Sequence, residues 1–579
     1  MQFNLIPKSR SRILAIITLG IMAIFIVRLF YLQIIMHDFY INLASQEQLK
    51  QLVIPSKRGE IYVMDGQKPT KVVLNQTVYT MFVDPKILKD PDSVIETTKL
   101  IAGGNMKPKA NELVNKKESR YQIIATKLSK EQAERIKEKN YIGVGFQKEN
   151  QRVYPEGQLA SQVFGFVNAE GEGQYGIEGG LNDRLKGKDG SLQSVTDVSS
   201  VPLTIGDRNI NIPAQDGEDL VLTVDRNIQA YAEKSLLSGL QKIGATNGSI
   251  IVMDPQNSQV KAMANFPTYL PAEFDKVKNI EVFNNATITV PYEPGSVIKT
   301  FTIATGLNEG VINPNSTYNN TDYIEVDGET ITNATKGQTG NVTMQRALDY
   351  SLNTGMVTIA QRLGNGSYIT SEARDKIYEY DYNRFGFGKL TGIELADEAK
   401  GNVVSPKLSE GNAVRYSNMS FGQGLDLTMI QVCTAFSSII NGGIYNSPTI
   451  IAGTIDDNGS FLAQPSKSVK QSVITSESSD TAREMIRAAR AKFSSGQDKP
   501  GYLIGGKTGT SQTIIDGRYT FDQTIGTYLG FGGDTVPRYV IMVQVSGEGL
   551  ALEGGKHAQP IFTDMSNWMI DYLKLQPKG

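Results

Sequence analysis

One cysteine and two histidines are all that 579 residues offer for thiolate or imidazole chemistry. A single thiol, Cys433, can build neither an internal disulfide framework nor a cysteine zinc site. It lies in the apolar helical pattern "MIQVCTAFSSII", where a core position is the ordinary outcome. With only His37 and His557 present, a histidine-rich metal centre is excluded, and a Ser-His-Asp triad could use His557 alone. Serine chemistry in this chain therefore calls for another base. Charge of one sign is also missing: 58 Lys and Arg against 60 Asp and Glu leave a net charge of -2, with no electrostatic case for nucleic acid. The lysine-rich stretch "ATKLSKEQAERIKEKN" has no interleaved aromatics and reads as a helix with a solvated face. "GEGQYGIEGGLNDRLKGKDG" is rich in glycine but matches neither a phosphate loop nor a dinucleotide fingerprint.

What is present begins with a membrane signal. Lys8, Arg10 and Arg12 precede "ILAIITLGIMAIFIVRLFYLQIIM", residues 13–36, whose only charge is Arg28 and only amide Gln33. As a helix this run rises about 36 Å, enough to cross a hydrocarbon core of about 30 Å. No small-x-small cleavage pattern follows it, so an uncleaved anchor is expected, with residues 1–12 as a cytoplasmic tail and the remainder outside. Arg28 can snorkel to an interface or face a partner helix.

The rest is an ordinary globular composition, 40% hydrophobic and 20% charged, long enough for two or three domains. Residues 40–215 carry short strand-like runs ("QLVIPS", "GEIYVMDG", "TVYTMFVDP"), ending in a polar, turn-rich connector from Gly187 to Gly217. A second domain, 216–579, starts with a strand and helix in "EDLVLTVDRNIQAYAEKSLLSGL" and a hairpin around "DPQNS". Helical patterns fill its middle; strands ("GYLIGGKTGTS", "GTYLGFGG", "RYVIMVQVSG") and a last helix close it. There Ile561, Phe562, Met565, Trp568, Met569 and Tyr572 share one apolar face. This order predicts an α+β fold with helices packed on an antiparallel sheet.

In "VPYEPGSVIKTFTIATGL" a Pro294-Gly295 break is followed by Ser296, then by Lys299 one turn on along a helical pattern. Taken alone this is a capping serine and a solvated lysine. As a nucleophile, Ser296 needs a base, an oxyanion site and a substrate clamp. Lys299 serves as base if burial or neighbouring positive charge keeps it neutral, and the Ser296 N–H at the helix mouth can face an oxyanion. A second S-x-x-K, Ser258 to Lys261, falls in the hairpin, where a spacing of three does not stack side chains. Ser351-Leu352-Asn353 follows a helix, and Lys507-Thr508-Gly509-Thr510 lies on a strand. S-x-x-K, S-x-N and K-T-G in this order form the set used by β-lactamases and penicillin-binding proteins.

With this set of motifs the chain resembles a class B penicillin-binding protein, a membrane-anchored peptidoglycan D,D-transpeptidase. The likeness extends through "RGEIYVMDG", "RVYPEGQLASQVFGFVNAEGEGQYGIEGG", "VLTVDRNIQ", "YEPGSVIKTF", "FGFGKLTGIEL", "SFGQGLDLTMIQ" and "IGGKTGTSQ". It departs at Met64 before Asp65, where the family has Asp-Arg. The resemblance implies a β-lactamase-like transpeptidase domain on an elongated, mostly β pedestal of the dimerisation or partner-binding type. It implies that Ser296 attacks the penultimate D-alanine carbonyl of a D-Ala-D-Ala stem peptide while Lys299 takes its proton. Ser351 would relay a proton to the leaving D-alanine, Asn353 would orient Lys299 and the substrate amide, and Lys507 would supply positive charge. Thr508, Gly509 and Thr510 would form the substrate side, the threonines binding the terminal carboxylate and the Thr510 N–H completing the oxyanion hole. An acceptor amine would resolve the acyl-enzyme into a cross-link, with no metal or cofactor, and β-lactams would acylate Ser296.

A D,D-carboxypeptidase, a β-lactam hydrolase or sensor, and a non-catalytic wall-synthesis scaffold are the alternatives. No motif supplies a hydrolase's deacylating base, the short tail before the anchor lacks a sensor's signalling part, and the intact Ser296, Lys299, Ser351 and Lys507 speak against a scaffold. For partners the resemblance implies a SEDS-family glycosyltransferase with divisome or elongation proteins, the chain being more similar to the division type.

Overall fold

The computed structural model describes residues 8–40, 49–195, 210–465, 471–494, 496–515 and 518–578. They form two compact units, one of residues 1–57 and 187–217, the other of 58–186 and 218–579. In the first, the helix Lys8–Phe30 runs into one wider turn, Tyr31–Ile35. The segment Arg12–Ile35 is long and apolar enough to cross a membrane, and none of it is buried against protein. The same unit holds a three-stranded antiparallel sheet with Gly190–Val195 between Leu49–Ile54 and Ile210–Ile212. The stretch expected to be a plain connector thus supplies two strands. Backbone pairing needs no apolar side chain, so composition concealed it; residues 196–209 lie outside the described residues.

The second unit is built on two sheets. One sheet orders Phe461–Ala463, Ile451–Ile455, Asp219–Asp225, Ile61–Asp65, Lys68–Val83 and Gln122–Leu128, with Val144–Val153 also paired to Lys68–Val83. Its one parallel pair joins Ile61–Asp65 to Asp219–Asp225. The expected pedestal and catalytic segments therefore share a continuous sheet. The helix expected over "ATKLSKEQAERIKEKN" begins only at Lys130, because Gln122–Leu128 is a strand and Ser129 starts a capping box with Gln132.

The other sheet is antiparallel and ordered Val260–Phe266, Asn247–Met253, Pro537–Ser546, Arg518–Gly533, Leu503–Ile515. Both its faces are covered, as alternation along Pro537–Ser546 requires. Ile541 and Val543 face the terminal helices Arg226–Ile243 and Gln559–Tyr572. Val540 and Met542 face the other way, into a core that includes Phe301 of the helix Lys299–Asn308 and Cys433 of the helix Met429–Ile440. Trp568 stacks between Tyr231 and Tyr572 at the margin of the terminal-helix core.

Three of the quoted segments meet at one buried acid. Glu178 of "GIEGG" accepts from Arg58 Nε of "RGEIY" at 2.6 Å and from Arg152 Nε of "RVYPE" at 2.7 Å. Its side chain has no exposed surface. Arg58 also donates to Asn182 Oδ1 and the Glu178 carbonyl, and Arg152 to Asn75 Oδ1. Replacing Glu178 by Gln strands two guanidinium groups in the interior, for a loss of about 3–5 kcal/mol of stability. Urea unfolding at neutral pH measures it, and a loss under about 1 kcal/mol would show that the triad does not hold these segments together.

Candidate active site

Ser296 lies in a single 3-10 turn, Gly295–Ile298, and Lys299 is the first residue of the helix that follows. Ser296 is therefore not the helix cap expected from the bare motif; neither the turn nor the helix has a side-chain cap. The break has a clear steric cause. Gly295 has φ +65° and its backbone backs onto the strand Leu503–Ile515, where a Cβ would fall 2.8 Å from the Thr510 carbonyl. The turn leaves Ser296 half-buried, with Val297, Ile298 and Phe301 anchored in the core.

Lys299 is fully buried. Its Nζ donates to the Ser351 carbonyl at 2.6 Å and to Asn353 Oδ1 at 2.7 Å, and it lies 3.1 Å from Ser351 Oγ. None of these contacts is to Ser296. Burial, aided by the positive charge of Lys507, holds Lys299 well below the usual lysine range. A neutral amine suits these partners: it donates twice and can accept the Ser351 hydroxyl proton with its lone pair.

The backbone at Ser351 explains how one residue offers two groups to Lys299. The helix Met344–Asp349 ends with Leu352 N–H on the Ala347 carbonyl and Ser351 N–H on the Leu348 carbonyl. This is the Schellman pattern, with Ser351 at φ +57° where glycine is usual. A left-handed serine costs about 1–2 kcal/mol. In return the chain reverses tightly, and a second helix, Asn353–Arg362, starts within reach of Lys299. Asn353 Nδ2 donates to the Thr332 carbonyl at 2.8 Å, which fixes the amide with its oxygen toward the lysine.

The K-T-G segment lies on Leu503–Ile515, the edge strand of the five-stranded sheet, so one row of its backbone groups is unpaired by strands. Alternation buries Lys507 and Gly509 and leaves Thr508 half-buried and Thr510 exposed. Gly509 permits the approach to the serine turn: a Cβ there would meet the Pro294 carbonyl at 2.6 Å. Burial pushes Lys507 down to about 7, and its Nζ donates to the Thr508 carbonyl and lies 3.2 Å from Thr508 Oγ1. Thr510 Oγ1 accepts from Gly554 N–H at 3.1 Å.

The fold brings Ser296, Lys299, Ser351, Asn353, Lys507, Thr508, Gly509 and Thr510 onto adjoining elements. The second S-x-x-K does not behave this way. Ser258 Oγ is buried without a partner, and Lys261 donates to Gln259. Sequence reasoning missed two neighbours, Glu293 and the wide turn Gly554–Ala558. Glu293 stood next to "PGS" in plain view; the Gly554 contact had no local signal. Within the wide turn His557 Nδ1 accepts from Glu553 N–H. Among the described residues, no group of three or more His, Cys, Asp or Glu gathers as metal ligands would.

The chain is similar to known proteins in sequence and in fold. Residues 248–567 match the family model of the penicillin-binding protein transpeptidase domain, and residues 53–222 that of the penicillin-binding protein dimerisation domain. Stage V sporulation protein D of Bacillus subtilis is 30% identical over 98% of this chain and 87% of its own length. Peptidoglycan D,D-transpeptidase FtsI of Escherichia coli is 25% identical over 95% of this chain and 89% of its own. The fold matches penicillin-binding protein 3 from Mycobacterium tuberculosis, solved with aztreonam, at TM-score 0.68 and 24% identity, covering 91% of this chain and 98% of that one.

The Lys299 environment makes a pH prediction. Asn353→Asp sets a carboxylate against Nζ and favours the ammonium form. The acid limb of the chain's acylation by a labelled penicillin is expected to move up by at least about one pH unit. An unmoved limb would mean that another group titrates there.

Proposed function

Because this chain belongs to the class B penicillin-binding proteins, which are peptidoglycan D,D-transpeptidases, we propose that Ser296 is its acylated nucleophile and Lys299 the base that activates it. The observation that carries this reading is the fully buried Lys299, biased toward the neutral amine and touching Ser351 and Asn353.

Ser296 Oγ attacks the carbonyl of the penultimate D-alanine, and its proton passes to Lys299. The Ser296 and Thr510 N–H groups receive the oxyanion. As the peptide bond breaks, the leaving D-alanine nitrogen takes the proton from Lys299 by way of Ser351 Oγ, which leaves an ester on Ser296. An acceptor amine then attacks that ester; its lost proton returns to Ser296 Oγ through Lys299, and the cross-linking amide is released. Lys507 together with Thr508 and Thr510 holds the donor's terminal carboxylate, and Asn353 the donor's amide backbone. Gly509 keeps the strand close enough to serve. A β-lactam enters as a donor whose leaving group stays tethered.

Incubation of the full chain with a fluorescent penicillin, followed over hours on a denaturing gel, tests the assignment. Stable label that Ser296→Ala abolishes is expected. Label that forms and clears would favour the hydrolase, and a folded protein without label would favour the scaffold.

The apolar N-terminal helix fits a membrane anchor. We further propose a single pass with the tail in the cytoplasm, a division role with divisome proteins, and a SEDS-family glycosyltransferase as partner. The sequence likeness and the positively charged tail support this, and Arg28 and Gln33 offer polar contacts within the span. A fluorescent fusion of the full chain is expected to gather at the division plane and to disperse when Arg28 and Gln33 are both replaced by Leu. Even wall labelling by the unaltered fusion would favour elongation, and a variant that still gathers would remove the helix from partner contact.

A further inference from the structure

The elements that carry Ser296 and Thr510 are tied together by a group that no step of the reaction uses. Glu293 directly precedes Pro294-Gly295-Ser296. Its Oε1 accepts from Gly424 N–H at 2.6 Å and from the Tyr519 hydroxyl at 2.7 Å, and its carbonyl accepts from Ser511 Oγ at 2.5 Å. These three donors come from one loop and two strands. Gly424 belongs to the loop behind the serine turn, which is pressed against it: Gly295 N–H donates to the Gly422 carbonyl, and a Cβ on Gly422 would lie 1.9 Å from the Gly295 carbonyl. Ser511 and Tyr519 stand on the two arms of the hairpin Leu503–Ile515 and Arg518–Gly533, and Ser511 follows Thr510. The hairpin register slips between Gln512 and Thr513, so residues 521–523 are extra on the second arm, and the arm bearing Tyr519 lies beyond that bulge.

The carboxylate is kept under conditions that cost free energy. Oε2 is buried with no partner, and burial raises Glu293 above the usual carboxylate range against the opposing effect of Gly424 N–H and Tyr519. Arg415, which donates to the Gly424 carbonyl, and Asp426 are the charged groups that face it. A half-buried acid with one buried, unpaired oxygen adjoining the serine turn calls for a reason beyond local packing.

We propose that Glu293 is a positioning residue for acyl transfer, acting through Tyr519, Ser511 and Gly424 to hold the strand that carries Thr510 at a fixed separation from the Ser296 turn. The proposal rests on the reading of Ser296 as nucleophile. Two oxyanion donors on separate elements work only while their spacing matches the tetrahedral intermediate. The ground-state ligand tolerates slack that the transition state does not, so a loosened tie lowers the acylation rate and leaves binding nearly unchanged.

The test uses the full chain in detergent and a concentration series of labelled penicillin, which separates the binding constant from the first-order acylation rate. Tyr519→Phe removes one hydroxyl from a residue 47% exposed, a change that folding tolerates. It is expected to slow acylation about five- to tenfold, and Glu293→Ala about 100-fold, in line with the cost of ångström-scale misplacement. The double variant should be no slower than Glu293→Ala alone, and Glu293→Gln, which keeps an acceptor for both donors, should recover to within about threefold of the unaltered rate. Binding should change less than about twofold throughout. Unaltered rates in Tyr519→Phe and Glu293→Ala would overturn the proposal. So would additive losses, or losses confined to the binding constant or the melting temperature. Failure of the unaltered chain to label at all is a separate result, which removes Ser296 as nucleophile.

Discussion

A lysine side chain with no exposed surface must either find a counter-charge or give up its proton, and the geometry around Lys299 follows from the second choice. Its neighbours are a carbonyl, a hydroxyl and an amide oxygen, with no carboxylate among its hydrogen-bond partners. An acid at that position would have steadied the ammonium form. Lys507 adds to the same bias: two ammonium groups in one dry site repel, and its charge helps to lower Lys299. The left-handed Ser351 and the fixed Asn353 amide are costs of building a neutral socket, the kind of local strain that persists where the surroundings over-determine it.

The catalytic half does not stand apart from the segment before it. Ile61–Asp65 runs parallel to Asp219–Asp225 within one sheet, and Asp219 Oδ1 accepts from Glu60 N–H at 2.7 Å. Arg58, three residues ahead of that strand, enters the buried triad with Glu178 and Arg152. Two positive charges and one negative in a dry interior have no energetic advantage over apolar packing. What they impose is geometry, because the forked guanidinium groups accept only one arrangement of the acid.

Much of the site was legible because its chemistry is local. Ser296 and Lys299 are three residues apart on a helical pattern, Ser351 and Asn353 two apart at a helix junction, and Lys507 to Thr510 lie along one strand. What escaped reading was non-local or rested on the backbone. Nothing in "DYSLNT" announces φ +57° at Ser351, since glycine or asparagine would be the usual sign of such a turn. The parallel pairing of residues 61 and 220 spans most of the pedestal and leaves no periodic mark. Likewise Arg58, Arg152 and Glu178 appear in the sequence as three separate charges. At Ser129 the reverse holds: a capping box stood in "SKEQ", yet the helical charge pattern around it drew the boundary too early.

The same geometry bears on why an acyl-enzyme here should wait for an amine. Hydrolysis needs a base that can take a proton from water beside the ester. The acid nearest in sequence to Ser296 is Glu293, and its Oε1 is occupied by Gly424 N–H and the Tyr519 hydroxyl while its Oε2 is buried. Lys299 is fully buried, and its Nζ is engaged by Ser351 and Asn353. An acceptor strand brings its amine with binding energy of its own, whereas water must be positioned by the protein. With Lys299 and this carboxylate both held, the proposed acyl-enzyme favours the nucleophile that carries its own anchor.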